Sequence, residues 1–144
     1  MNKWHDAYMK TAETFGSLST AKRLQVGAIV VRDNRIISIG YNGMPAGWTN
    51  DCEEEVVTHY ETHSESVFVT KKEVIHAEAN AIAKLAKSTE SGDGAEMFIT
   101  HAPCIECAKQ IYTAGISTVY FRNQYRNNDG IDFLSKCGVG VNQI

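Results

Sequence analysis

The sequence predicts an α/β protein of the three-layer α/β/α kind, with a mixed sheet of about five strands and helices on both of its faces. Three observations predict it. Apolar residues recur at helical spacing in several stretches, β-branched runs stand between those stretches, and glycines with short polar clusters separate the two. The resulting order, α-β-β-α-β-α-β-α-β, is that of a sheet covered by helices. A chain of 144 residues is long enough for one core, so residues 1–144 are read as a single domain.

Trp4, Ala7, Tyr8, Thr11, Ala12 and Phe15 fall on one helical face, which predicts an amphipathic helix from about residue 4 to 18. A polar turn covers 17–22. The β-branched run Val26-Gly27-Ala28-Ile29-Val30-Val31 predicts a strand, Asp33-Asn34 a turn, and Ile36-Ile37-Ser38-Ile39 its hairpin partner. Residues 40–73 carry glycine, proline, asparagine and clustered acids. They read as a long irregular excursion with a short helix near 53–59, and such loops often carry function. The segment AEANAIAKLAK predicts a helix over 77–87. A short strand follows at 97–100, then a helix over 104–114 stopped by Gly115, and a strand over 118–121. A short helix at 131–136 and a strand at 139–141 complete the pattern.

Hydrophobic residues make up 43% of the chain and charged residues 22%, ordinary values for a globular protein. No stretch resembles a membrane span, and the N-terminus has acids and polar residues where a secretion signal needs an apolar run. The expected location is therefore the cytoplasm, and no membrane partner is expected. The formal net charge of −3 argues against holding a long nucleic acid, whose phosphates call for a basic surface, and favours a small substrate. The four cysteines, Cys52, Cys104, Cys107 and Cys137, read as thiols or metal ligands rather than a disulfide framework. Cys137 lies in an apolar pattern that suits packing.

Two short pieces carry the chemistry. His76-Ala77-Glu78 and Pro103-Cys104-Ile105-Glu106-Cys107 together read H-x-E … P-C-x-x-C. One imidazole and two thiolates give zinc three protein ligands, whereas a structural zinc takes four and closes its site. Three ligands leave a position for water, and Glu78 is a carboxylate placed to move that water's protons. Both pieces open a helix, where unpaired N–H groups and the positive dipole end favour thiolate, and Pro103 removes one donor that would need a partner. The set suits attack of hydroxide on an amidine-like ring carbon with loss of ammonia. The alternative is a folding zinc with a fourth ligand from Cys52, His59, His63 or His101. His101, three residues before Cys104, reads as a strand-end or pocket-rim residue rather than a ligand.

At these residues the chain resembles the zinc-dependent cytidine deaminase superfamily, and within it the deoxycytidylate (dCMP) deaminases of microbial or phage type. The resemblance runs from about Ser19 to Val141. It rests on Val26-Gly27-Ala28-Ile29-Val30, Gly40-Tyr41-Asn42-Gly43-Met44-Pro45-Ala46-Gly47, His76-Ala77-Glu78-Ala79-Asn80-Ala81-Ile82 and Pro103-Cys104-Ile105-Glu106-Cys107-Ala108-Lys109. It implies the cytidine deaminase-like fold and zinc-dependent hydrolysis of dCMP to dUMP and ammonia, supplying dUMP for thymidylate synthesis. It also implies His76, Cys104 and Cys107 as zinc ligands and Glu78 as the catalytic proton shuttle. Asn42 and Ala77 are implied as nucleotide contacts, Arg23 as the main phosphate ligand with Ser19 in support, and Tyr120, Tyr125 and Arg126 as residues closing over the substrate. Without the resemblance, Asn42 reads first as a turn asparagine between two strands, and the alternative for Arg23 is an ordinary surface arginine.

The resemblance further implies a homo-oligomer, trimer or hexamer, and effectors of the dCTP and dTTP type. The acids Asp51, Glu53, Glu54 and Glu55 would need a divalent ion such as Mg2+ to bridge a triphosphate. The lack of a dense cysteine cluster around Cys52, His59 and His63 argues against a second, structural zinc. Two rivals stand beside this reading. One is a deaminase of the same superfamily acting on another base, nucleoside or transfer RNA. The other is a nucleotide-binding relative that has lost turnover.

Overall fold

In the computed structural model, which describes residues 2–144, the core sheet has five strands in the order β2-β1-β5-β6-β7. The strands are β1 (Gly27–Arg32), β2 (Arg35–Tyr41), β5 (Glu96–His101), β6 (Thr118–Asn123) and β7 (Gly140–Gln143). β1 runs antiparallel to both β2 and β5, whereas β5, β6 and β7 are mutually parallel. The sheet is therefore mixed, as the sequence predicts.

Strand alternation explains the layers. On one face, Ile29, Val31 and Phe98 pack against Tyr8, Met9 and Ala12 of α1 (Lys3–Gly16). On the other, Ala28, Val30, Met97, Ile99 and Val119 meet α2 (Ala77–Leu85), α3 (Ile105–Thr113) and α4 (Asp129–Lys136). β1 is buried on both faces, which is why its sequence is a continuous apolar run rather than an alternating one. α3 stops at Gly115 as expected. The Ile116 N–H bonds to the Ile111 carbonyl and the Gly115 N–H to that of Tyr112, satisfying the last turn while Ile116 enters the core.

The stretch after β2 departs from expectation. In place of an irregular excursion with a short helix, it forms a hairpin of β3 (Glu53–His59) and β4 (Ser64–Thr70). Every residue from Glu53↔Thr70 to His59↔Ser64 is paired, and the Tyr60 N–H to His63 carbonyl bond closes the tip. The hairpin forms its own two-stranded sheet, separate from the core sheet. Cys52 is fully buried at its base, while His59 and His63 lie at its tip, seven or more residues of extended strand away. Among the described residues, no helix is long and apolar enough to cross a membrane.

Candidate active site

The carboxyl ends of β5 and β6 lie beside the start of β1, because β1 is antiparallel to β5. Open α/β sheets bind ligands at such an edge. Here it opens into a cavity of about 620 Å³, within the usual range for small-molecule sites.

His76 and Cys104 are the N-caps of α2 and α3, each with extended backbone that turns its side chain out of the helix start. Cys107 follows one turn into α3 and is buried. Two close approaches hold these helix starts in place. A Cβ on Gly40 of β2 would lie 2.3 Å from the Ala77 carbonyl oxygen, so only glycine lets α2 come this near the sheet. A Cβ on Gly130 of α4 would lie 2.1 Å from the Pro103 carbonyl oxygen, so α4 packs directly on the segment that delivers Cys104.

The His76 Nδ1 lies 3.6 Å from the Cys104 Sγ and 3.3 Å from the Cys107 Sγ, and all three donor atoms fall within 4.8 Å of one another. Tetrahedral zinc with ordinary Zn–S and Zn–N bonds would separate S and N by about 3.6 Å. The donor set and its spacing therefore fit zinc. Among the described residues, neither Cys52, His59, His63 nor His101 joins the cluster. Charge in the cluster is already polarised. The hydrogen bond from the Cys107 thiol, then that with His76, draws Cys104 down to about 4. The same shared proton, together with burial, pushes the Cys107 thiol up. The bond to Cys104 raises His76, outweighing its desolvation. Glu78, only 4% exposed, is pushed up to about 7 by burial, with its own backbone N–H and His76 partly opposing the rise.

The expected substrate residues separate into three groups. Arg23, Asn42, Ala77, Tyr125 and Arg126 line the cavity with His76, Glu78 and Cys104. Asn42 is also committed to the backbone. Its Oδ1 accepts from the Val26 N–H at 2.9 Å and its Nδ2 donates to the Leu24 carbonyl at 2.8 Å, which fixes the loop carrying Arg23. Ser19 is buried outside the cavity wall. Its hydroxyl donates to the Asn42 carbonyl and accepts from the Ala21 N–H, so it braces the same loop. Tyr120 does not reach the cavity. Alternation along β6 turns it to the α1 face, where it stacks on Phe98 at 4.7 Å and meets His5 at 4.4 Å.

The sequence reading missed several wall residues. Val69 and Thr70 come from the unforeseen hairpin, and Gln124 lies beside the expected Tyr125 and Arg126. Glu53 is not a free acid facing an effector. Its carboxylate accepts from the Lys22 and Arg23 backbone N–H groups at 3.1 to 3.3 Å, tying the hairpin base to the arginine loop.

Residues 2–123 match the family model of the cytidine and deoxycytidylate deaminase zinc-binding region. The chain belongs to this family. Among its deaminase relatives, human deoxycytidylate deaminase is 36% identical over 129 residues, 88% of this chain and 69% of its own. The ComE operon protein 2 of Bacillus subtilis is 38% identical over 142 residues, 98% of this chain and 71% of its own. The dCMP deaminase of cyanophage S-TIM5, solved in complex with dCMP and dUMP, superposes with a TM-score of 0.86 at 46% identity, over 100% of this chain and 99% of that one. The five-stranded mixed sheet with helices on both faces is the deaminase fold.

Proposed function

We propose that this deaminase hydrolyses dCMP to dUMP and ammonia, acting as one domain over residues 1–144. A single observation carries the reading. One cavity joins the His76–Cys104–Cys107 cluster and buried Glu78 to two arginines, Arg23 and Arg126. It thus offers hydrolytic chemistry and anion recognition to one molecule, as a nucleoside monophosphate requires. The dCMP and dUMP bound by the cyanophage enzyme support the choice of base and phosphate.

His76, Cys104 and Cys107 would hold the zinc ion. Bound there, zinc supplies the Lewis acid that makes water nucleophilic at neutral pH. Glu78 does the proton work. With its carboxyl near pH 7 it accepts one proton as water adds to the ring carbon and passes it to the adjacent ring nitrogen, then carries the remaining hydroxyl proton to the amino group, which leaves as ammonia as the carbonyl forms. Arg23 and Arg126 hold the 5′-phosphate, and Asn42 and Ser19 keep the Arg23 loop in place. Tyr125, beneath the Arg126 guanidinium at 5.3 Å, restrains that side chain.

The same proposal includes homo-oligomerisation as a trimer or hexamer, dCTP and dTTP as effectors with Mg2+, and dUMP supply for thymidylate synthesis in the cytoplasm. The exposed apolar side chains Val56, Val57, Val67 and Phe68 of the hairpin are ones that an assembly would cover.

The test is the loss of ultraviolet absorbance when zinc-loaded protein meets dCMP, CMP, dCTP or deoxycytidine, each with and without dCTP or dTTP as effector. Preferential turnover of dCMP is expected. Turnover of deoxycytidine but not dCMP would discard the phosphate assignment. No turnover of any would overturn the reading.

A further inference from the structure

We infer that His101 is a third ligand of the substrate phosphate, a neutral imidazole that donates from Nε2 between the two arginine-bearing segments. The inference rests on the dCMP reading and adds to it a residue that the zinc cluster and the arginines do not account for.

Position comes first. His101 is the last residue of β5, the central strand of the sheet, and its ring lines the cavity. On one side, β5 neighbours the start of β1, from which the chain leads back through Val26 and Leu24 to Arg23. On the other, His101 pairs with Asn123 at the end of β6, from which the chain runs directly into Gln124, Tyr125 and Arg126. The Ala102 N–H to Asn123 carbonyl bond and the Asn123 Nδ2 bond to the Thr100 carbonyl fix that junction. A group held by Arg23 from one side and Arg126 from the other thus meets His101 between them.

Hydrogen bonding then sets the tautomer. Thr100 is 5% exposed, and its hydroxyl accepts the Gly27 N–H at 3.1 Å and lies 2.8 Å from the His101 Nδ1. A buried hydroxyl proton needs an acceptor, and Nδ1 is the acceptor within reach. Nδ1 therefore carries no hydrogen, and Nε2–H is left as a donor. Among the described residues, Nε2 has no hydrogen-bond partner. Burial also lowers the His101 pKa, which favours the neutral ring. A neutral donor beside two guanidinium groups strengthens phosphate binding without adding cationic repulsion.

Two experiments test this on the zinc-loaded protein. Nitrogen-15 NMR of the histidine rings should show His101 protonated at Nε2, and inorganic phosphate should shift that nitrogen. Steady-state kinetics of His101→Leu should show the ratio of kcat/KM for dCMP to that for deoxycytidine falling about ten- to hundredfold, the loss expected for a hydrogen bond to a charged group. His101→Gln, which keeps an N–H at similar reach, should recover most of that ratio. Protonation at Nδ1, a ring indifferent to phosphate, or an unchanged ratio in His101→Leu would each overturn the assignment. The phosphate response separates the two readings. A shifted His101 in a protein that leaves dCMP untouched would sink the dCMP proposal alone. Unshifted His101 in an enzyme active on dCMP would sink only this one.

Discussion

Glu78 shows how burial prepares a carboxyl for the proton transfer proposed for it. The side chain sits at the start of α2, where the dipole favours carboxylate, yet desolvation outweighs that and raises it to about 7. Glu78→Gln keeps the shape and removes the titrating proton. The variant should bind zinc in the same stoichiometry and lose deamination by at least about a thousandfold, within the range of general acid–base contributions combined with ring protonation. Metal analysis alongside the absorbance assay checks both halves, and retained turnover would mean that another group moves the proton. The site residues differ in how visible they are in the sequence. His76, Cys104 and Cys107 are legible because metal ligation needs fixed residue types at helix starts. Tyr120 is not, because a single residue's direction off a strand depends on sheet register, and register places it against Phe98. His101 shows itself only as a strand-end histidine, since its role depends on a threonine proton and on neighbours from distant sequence.

At the level of elements, the helices and core strands follow from periodicity because each buries one face against the sheet. The hairpin of β3 and β4 has no such signature. Its strands are exposed on both faces, so burial does not mark them; the β-branched pieces Val56-Val57-Thr58 and Val67-Phe68-Val69-Thr70 are a strand signal, which the run of three glutamates and the polar flanks mask. A two-stranded hairpin is marginal alone, and what ties this one down is at its base. Glu53 accepts two backbone N–H groups of the arginine loop, and the Lys71 N–H bonds to the Cys52 carbonyl. Glu53→Gln weakens acceptors for the loop that presents Arg23, and KM for dCMP should rise about three- to tenfold with little change in the melting temperature. Unaltered KM would show that the loop holds without the hairpin. Strand β2 offers a second test. Gly40→Ala forces a methyl group onto the backbone of α2, so stability should drop by about 1–3 kcal/mol in denaturant unfolding, and zinc retention should fall as His76 shifts. Unchanged stability would mean that the helix can retreat without strain.

For the whole molecule, the arrangement follows from one topological fact. The antiparallel placement of β1 beside β5 brings the arginine loop, which precedes β1, to the same edge as the carboxyl ends of β5 and β6. The two helix starts that carry His76 and Cys104 open onto that edge, so residues spread from Arg23 to Arg126 share one cavity. The layer architecture was readable from the order of elements. The convergence was not, since spacing along a chain does not say which strand ends face each other.

On the proposed function, one cavity joins deamination to recognition of a phosphate. The most direct measurement is kcat/KM for dCMP and for deoxycytidine, in the zinc-loaded enzyme and in Arg23→Gln. The wild type should favour dCMP by at least about a hundredfold, and the substitution should remove at least about tenfold of that preference while zinc content and kcat on deoxycytidine stay close to their starting values. Equal losses on both substrates, or a wild type indifferent to the phosphate, would contradict a phosphate site in that cavity.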